Sequence, residues 1–312
     1  MQDHNHSPVL CIGAAHWDVR SQCSAPVRRG TSNPVSVSRF PGGVAHNVAM
    51  NLCRLGGKVG LASRWGDDPA GDAIARHLSA SGLNLLALPR SANAPTATYT
   101  AVLEPDGELA VGLADMAIYD ELTPDLLEPL HRDLSSFPIW FVDTNIPAKT
   151  LESLADWQQG HGLLTADAVS VAKSTRLLNL LDRLGLLFCN CDEAAELSGV
   201  TIRDVGDIQN AGAALVARGV GAVMISAGKE GAFLFQKGIQ EHFPARKVEV
   251  VDVTGAGDAL IAGTLHGIAR GFDFAKAVQR GVAAAALTLE KHGATFEGLH
   301  EKDLDAFVAG LK

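Results

Sequence analysis

VDVTGAGDALIAGTLHGIARG, residues 251–271, is the stretch whose reading decides the fold. A β-type run, Lys247 to Val251, leads into Gly255-Ala256-Gly257-Asp258, and a helix of small and apolar residues follows at once. A strand, a glycine turn and a helix start gather free N–H groups at one point, which makes an anion cradle aided by the helix dipole. Asp258 sits at the helix entry, where a carboxylate is stabilised. Beside a phosphate cradle it could accept a proton from an attacking hydroxyl; alternatively it only caps the helix. The segment fits neither the P-loop nor the GxGxxG pattern.

Outward from that stretch the chain alternates. PVLCIGAA (8–15), KVGLAS (58–63), PIWFVD (138–143), GLLTAD (162–167), LGLLFCN (184–190) and VGAVMISAG (220–228) read as apolar strands. Helical runs lie between them: VAHNVAMNLCRL after Gly42-Gly43, then PAGDAIARHLSASG, Thr123 to Ser135 and Ala148 to Gln159. From Gly257 to the closing LDAFVAGLK the chain reads as almost all helical. Apolar strands separated by helices predict a doubly wound, mainly parallel α/β sheet covered on both faces. Segments 17–40 and 94–113 instead alternate apolar and polar residues, the second as a hairpin turning at Pro105-Asp106-Gly107. Together they predict a small β-sheet lid inserted in one domain spanning 1–312.

The totals narrow the class. The 312 residues are 47% hydrophobic and 20% charged, with 26 Lys and Arg against 35 Asp and Glu, a formal charge of −9. No basic face is expected, which argues against nucleic-acid binding. The opening MQDHNHS reads as a flexible polar leader rather than a signal peptide, and no run is long enough to span a membrane. Five cysteines match no zinc module and fit reduced thiols, hence a cytoplasmic protein.

DVTGAGDALIAG resembles the C-terminal signature of the PfkB, or ribokinase-like, carbohydrate kinase family, and PGGVAHNVAMNLCRLGG (41–57) resembles its N-terminal signature. Asn190-Cys191-Asp192-Glu193 resembles the family's N-x-x-E motif, and Ser226-Ala227-Gly228 its nucleotide-site strand end. The resemblance covers essentially the whole chain. It implies a ribokinase-like fold and transfer of a phosphoryl group from ATP to an alcohol on a small nucleoside or sugar. Carried over residue by residue, it makes Asp258 the base and the N–H groups of Gly255, Ala256 and Gly257 the phosphoryl cradle. Asn190 and Glu193 would order Mg²⁺ and the phosphates, Glu193 through water; Asn190, Ser226, Gly228, Gly231 and Thr254 would border ATP. Asp252 and Thr254 match positions that hold a monovalent cation such as K⁺. Asp18, Gly42, Gly43 and Asn47 would take the sugar.

Ser32-Asn33-Pro34, GLADMAIYDELTP (112–124), Asp143-Thr144-Asn145 and the segment from Asp167 to Lys173 are most similar to the pseudouridine kinases of that family. This implies a 5′-hydroxyl acceptor, with Asn33, Asp115, Asn145 and Lys173 around the base. Ribokinase, or another nucleoside or sugar kinase of the family, stays open as the alternative. Three departures stand out: Phe188-Cys189 where the family often has Lys-Pro, Ala117 in place of a polar residue, and His46 in place of a residue such as Arg. CIGAAHWD lacks GxGxxG, which argues against a dehydrogenase. Lid sheets of relatives often pair, so a homodimer through the lid is one possible assembly.

Overall fold

The computed structural model describes residues 7–310. Residues 1–6 of the polar leader and the final 311–312 lie outside the described residues.

Thirteen strands form two sheets among the described residues. The large one contains β1 (Val9–Ile12), β4 (Val59–Ala62), β5 (Asn84–Leu85), β8 (Ile139–Asp143), β9 (Leu163–Asp167), β10 (Leu186–Asn190), β11 (Ala222–Ser226), β12 (Ala232–Gln236) and β13 (Ile239–Phe243). Their order is β13-β12-β11-β10-β9-β8-β1-β4-β5. All neighbours are parallel up to β11; β12 and β13 run antiparallel at one edge. The small sheet has β2 (His16–Cys23), β3 (Val35–Gly42), β6 (Thr98–Leu103) and β7 (Leu109–Asp115), in the order β3-β2-β6-β7.

The helices are α1 (Val44–Arg54), α2 (Pro69–Ala80), α3 (Pro124–Leu127), α4 (His131–Leu134), α5 (Ala148–Gln158), α6 (Val171–Ser174), α7 (Cys191–Ser198), α8 (Val205–Ala217), α9 (Ala256–Ala269), α10 (Phe274–Leu289) and α11 (Glu301–Ala309). Period-2 alternation in the buried strands divides them between the sheet's two faces. Leu10, Ile12, Trp140 and Val142 pack with α5, α7 and α8. Val9, Cys11, Ile139 and Phe141 pack with α1, α2, α9 and α10. This double cover is why these strands are apolar throughout.

The structure departs from the sequence reading in three places. Lys247–Val251 is not a strand. The β12–β13 hairpin takes the sheet edge, and the N–H of Val251 donates instead to the Leu289 carbonyl at the end of α10. Thr123–Ser135 is two short helices rather than one, joined by a 3-10 turn at Glu128–Leu130. Pro129, inside that turn, has no N–H to continue a helix. Between α10 and α11 the chain leaves helix and brings the Ala294 carbonyl against Gly255.

Candidate active site

Strand order locates the site. From β1 the chain moves outward to β4 and β5, then crosses to β8 on the other side of β1. Such a switch leaves a crevice outside the carboxyl ends of the two diverging strands. There Asp143, completely buried at the end of β8, accepts from the N–H groups of Ala14 at 2.8 Å, Ala45 at 3.0 Å and Asn145 at 2.9 Å. Burial pushes its carboxyl up, and those donors pull it back. One carboxylate thereby pins the loop after β1, the start of α1 and the end of β8. Sequence reading quoted Asp143 but gave it no role.

Helix α1 enters this crevice behind Gly42 and Gly43. A side chain at Gly42, the last residue of β3, would overlap the carboxylate of Asp18 on neighbouring β2, so glycine leaves room for that carboxylate just ahead of the helix start. Asp18 also contacts His16 Nε2 at 3.2 Å, and His16 Nδ1 lies 3.2 Å from the hydroxyl of buried Tyr119. Tyr119 was missed from sequence; nothing in its local pattern marks it.

The first turn of α9 faces α1. Gly255 caps it with φ +75°, and its Cα lies so close to the Ala294 carbonyl that any side chain would collide. Left-handed backbone and close approach together require glycine. At Gly257 the space a side chain would take is open. The first N–H groups of a helix lack intrahelical partners, so this end offers donors to an anion. The Ala256 N–H is partly engaged, at 3.4 Å from the Val253 carbonyl.

Asp258 is half-buried beside these donors, and its Oδ2 accepts from Asn47 Nδ2 at 2.7 Å. Burial pushes its carboxyl up to about 7; the Asn47 bond opposes this, and the charges of Asp143 and Asp18 reinforce it. A carboxyl so poised is half ionised near neutral pH, the range in which a general base works.

Beyond β9 and β10 the acidic character continues. Asp167 is pushed well above the ordinary carboxylate range by burial and by Glu193, Asp258 and Asp143. Glu193 and Asn190 form a reciprocal cap on α7: Asn190 N–H donates to Glu193 Oε2 at 2.8 Å, and Glu193 N–H to Asn190 Oδ1 at 2.9 Å. Asn190 and Ser226 are register partners at the ends of β10 and β11. Gly228 and Gly231 lie in the turn that follows, between β11 and β12. Asp252 accepts from Thr254 N–H at 2.9 Å and Gly293 N–H at 3.1 Å. Burial pushes the Asp252 carboxyl up, but the hydrogen bonds from Thr254 and Gly293, together with the charge of His292, outweigh it and leave it below its ordinary value.

Near the end of β8, Lys173 Nζ donates to Asn145 Oδ1 at 2.6 Å, and burial lowers the lysine's pKa. Arg176, missed from sequence, donates from Nη1 to the carbonyls of Thr144, Asn145 and Ile146 at 3.0–3.1 Å. Two predicted base contacts are not joined to this cluster. The Asn33 amide closes its own loop on Arg28 and Thr31. Asp115 is exposed at the end of β7, and no hydrogen bond or ion pair links it to the other site groups among the described residues.

At the switch-point crevice a helix start with open N–H donors and a carboxylate beside them meets α1, and the description "pfkB family carbohydrate kinase" matches residues 7–302. The chain belongs to the pfkB family of carbohydrate kinases. PfkB kinases are phosphotransferases with an alcohol group as acceptor, and this chain is one. It is 28% identical to the pseudouridine kinase of Escherichia coli over 285 residues, 90% of this chain and 91% of that protein. A carbohydrate kinase from Agrobacterium tumefaciens superposes with TM-score 0.86 at 31% identity, covering 97% of each chain. Arabidopsis thaliana ribokinase, solved with ribose and ATP, superposes with TM-score 0.88 at 22% identity, covering 97% of this chain and 99% of that one, a likeness of fold.

Proposed function

We propose that this pfkB kinase transfers the γ-phosphoryl group of ATP to the 5′-hydroxyl of pseudouridine, giving pseudouridine 5′-phosphate. The observation that carries the chemistry is the Asp258 carboxylate, held by Asn47 at 2.7 Å beside the open first turn of α9. The acceptor sugar lies against Asp18, Gly42, Gly43 and Asn47. Asp258 takes the hydroxyl proton as its oxygen attacks phosphorus in line; the new O–P bond forms and the bond to ADP breaks. The N–H groups of Gly255, Ala256 and Gly257 face the oxygens of the transferring group. Asn190, Ser226, Gly228, Gly231 and Thr254 border the nucleotide.

Among the described residues no cluster of three or more His, Cys, Asp or Glu side chains is arranged to hold a metal. That fits Mg²⁺ carried mainly by the triphosphate, with Glu193, fixed by its cap, ordering water around it. Bound Mg²⁺ supplies charge neutralisation at the phosphates. Asp252 ties the loop before the cradle to Gly293, so a K⁺ ion held by Asp252 and Thr254 would steady cradle geometry.

The small sheet, from segments 17–40 and 94–113 of a single domain, serves as the lid. Val35, Val37, Val111 and Leu113, 41–56% exposed, lie on one face of it and fit pairing of two lids into a homodimer. No helix among the described residues is long and apolar enough to cross a membrane, and we place the reaction in the cytoplasm.

The base contacts rest on Lys173 and Asn145. Because Asn33 and Asp115 stand apart, the sugar contacts are better assembled than the base contacts, which keeps ribokinase or another nucleoside or sugar kinase as the second reading. Turnover of pseudouridine, uridine, adenosine and ribose with ATP and Mg²⁺, read by ADP release, separates them. The proposal predicts the highest kcat/KM for pseudouridine; a preference for free ribose or adenosine would replace it with the second reading.

A further inference from the structure

His46 stands in the first turn of α1 and is 2% exposed. Its Nδ1 lies 2.8 Å from Asn47 Oδ1, while Asn47 Nδ2 donates to Asp258 Oδ2 at 2.7 Å. An amide oxygen only accepts, so the imidazole proton must sit on Nδ1. Nε2 is buried and has no hydrogen-bond partner among the described residues. A proton there would bury an unpaired donor, so the other tautomer is disfavoured twice. Burial pushes the imidazole down to about 4, which keeps it neutral.

Asn47 could face Asp258 in two ways. With Nδ2 forward it stabilises the carboxylate. Turned by half a rotation, its oxygen would face Asp258 and tolerate only the protonated acid. A fixed N–H on His46 permits the first orientation alone. We propose that His46 is a positioning residue for the base: its Nδ1–H locks the Asn47 amide so that Asp258 is presented as a hydrogen-bonded carboxylate. This rests on the reading of Asp258 as base.

The surroundings make the lock matter. Asp258 faces Asp18 from β2 and Asp143 from β8, whose charges oppose its ionisation, and Asp167 from β9, whose own pKa it helps to raise. Asn47 is the side-chain donor set against them. His46 in turn faces His77 from α2 and both His16 and Asp18 from β2. The histidine pair disfavours a charged imidazole at position 46, again holding it neutral.

The test is a ¹³C NMR titration of the Asp258 carboxyl in the ligand-free protein, in wild type, His46→Leu and His46→Asn. Leucine removes the donor. Asparagine returns an N–H near the Nδ1 position. The midpoint should rise by about 0.5–1.5 pH units in His46→Leu and stay near wild type in His46→Asn, in keeping with loss and return of a bond to the charged form. An unmoved midpoint in His46→Leu, or equal movement in both variants, overturns the proposal. Should His46→Leu not fold, His46→Gln, whose amide falls nearer Nε2, replaces it with the same expectation. Imidazole ¹⁵N shifts of wild type at pH 7 must show a neutral ring protonated on Nδ1; an Nε2–H tautomer or an imidazolium also overturns it.

A kinetic arm separates the two layers of argument. The acidic limb of kcat/KM should move with the Asp258 midpoint, and His46→Leu should regain most of its kcat at high pH. A loss uniform across pH means that His46 only packs, and the proposal fails. If the midpoint moves while the limb does not, the lock stands and Asp258 is not the base.

Discussion

Replacing Asp258 by asparagine keeps the side chain's shape and an oxygen to accept from Asn47, but removes the charge. Burial raises the proton affinity of this carboxyl from its ordinary value of 3.8 to about 7 in the folded protein. The sign follows from linkage: folding favours the protonated form, so the wild type loses stability as pH rises from 3.8 to 7. The difference is a ceiling of about 4 kcal/mol. Partial exposure at the crevice screens part of it, which leaves on the order of 1–3 kcal/mol. Asp258→Asn should therefore melt higher than wild type at pH 8, by about 2–6 °C for a chain of this size. At pH 5 the gain should shrink to about a third, because the folded wild type is then already protonated. Differential scanning calorimetry at both pH values reads this directly. A shift of equal size at pH 5 and pH 8, or a lower melting temperature at both, would show that Asp258 carries no burial penalty and is not poised as described.

Other perturbations separate structural from chemical roles. Gly255→Ala meets the Ala294 carbonyl at a left-handed backbone position and should lose about 1–3 kcal/mol by denaturant titration. Gly257→Ala enters open space, so its stability should stay within about 0.5 kcal/mol while KM for ATP rises; unchanged ATP kinetics would remove that position from the cradle. Lys173→Met removes the donor at 2.6 Å from Asn145 and should raise KM for pseudouridine at least about tenfold with little change for ribose. Equal effects on both acceptors would place Lys173 away from the base. Val111→Asp with Leu113→Asp should convert a lid-paired dimer to monomer in light scattering; a mass unchanged by the pair sinks that assembly.

Much of this was legible in sequence because the informative residues are local. Gly255, Ala256, Gly257 and Asp258 are consecutive, and one helix start places them together whatever surrounds it. Gly42, Gly43 and Asn47 likewise belong to one entry into α1. The alternation that distinguished 17–40 and 94–113 from the apolar strands is a period-2 signal readable in any short window. Asp143 is another matter: its role comes from strand order, which brings Ala14 and Ala45 to it across 129 and 98 residues. Tyr119 meets His16 across 103 residues, and Arg176 meets the carbonyls of Thr144 to Ile146 across 30–32. Lys247–Val251 has strand composition, yet the β12–β13 hairpin holds the sheet edge, a tertiary outcome that propensity does not carry. Asn33 was named by resemblance, and in the structure its amide is taken up by its own turn.

The account depends on Asp258 receiving a proton as the acceptor oxygen attacks. Its most direct test is single-turnover phosphoryl transfer by Asp258→Asn at saturating ATP, Mg²⁺ and the best acceptor of the panel, beside wild type. The account predicts a rate lower by about 10²–10⁴ with ATP binding retained, the range for loss of a general base. A rate within about tenfold of wild type would contradict it.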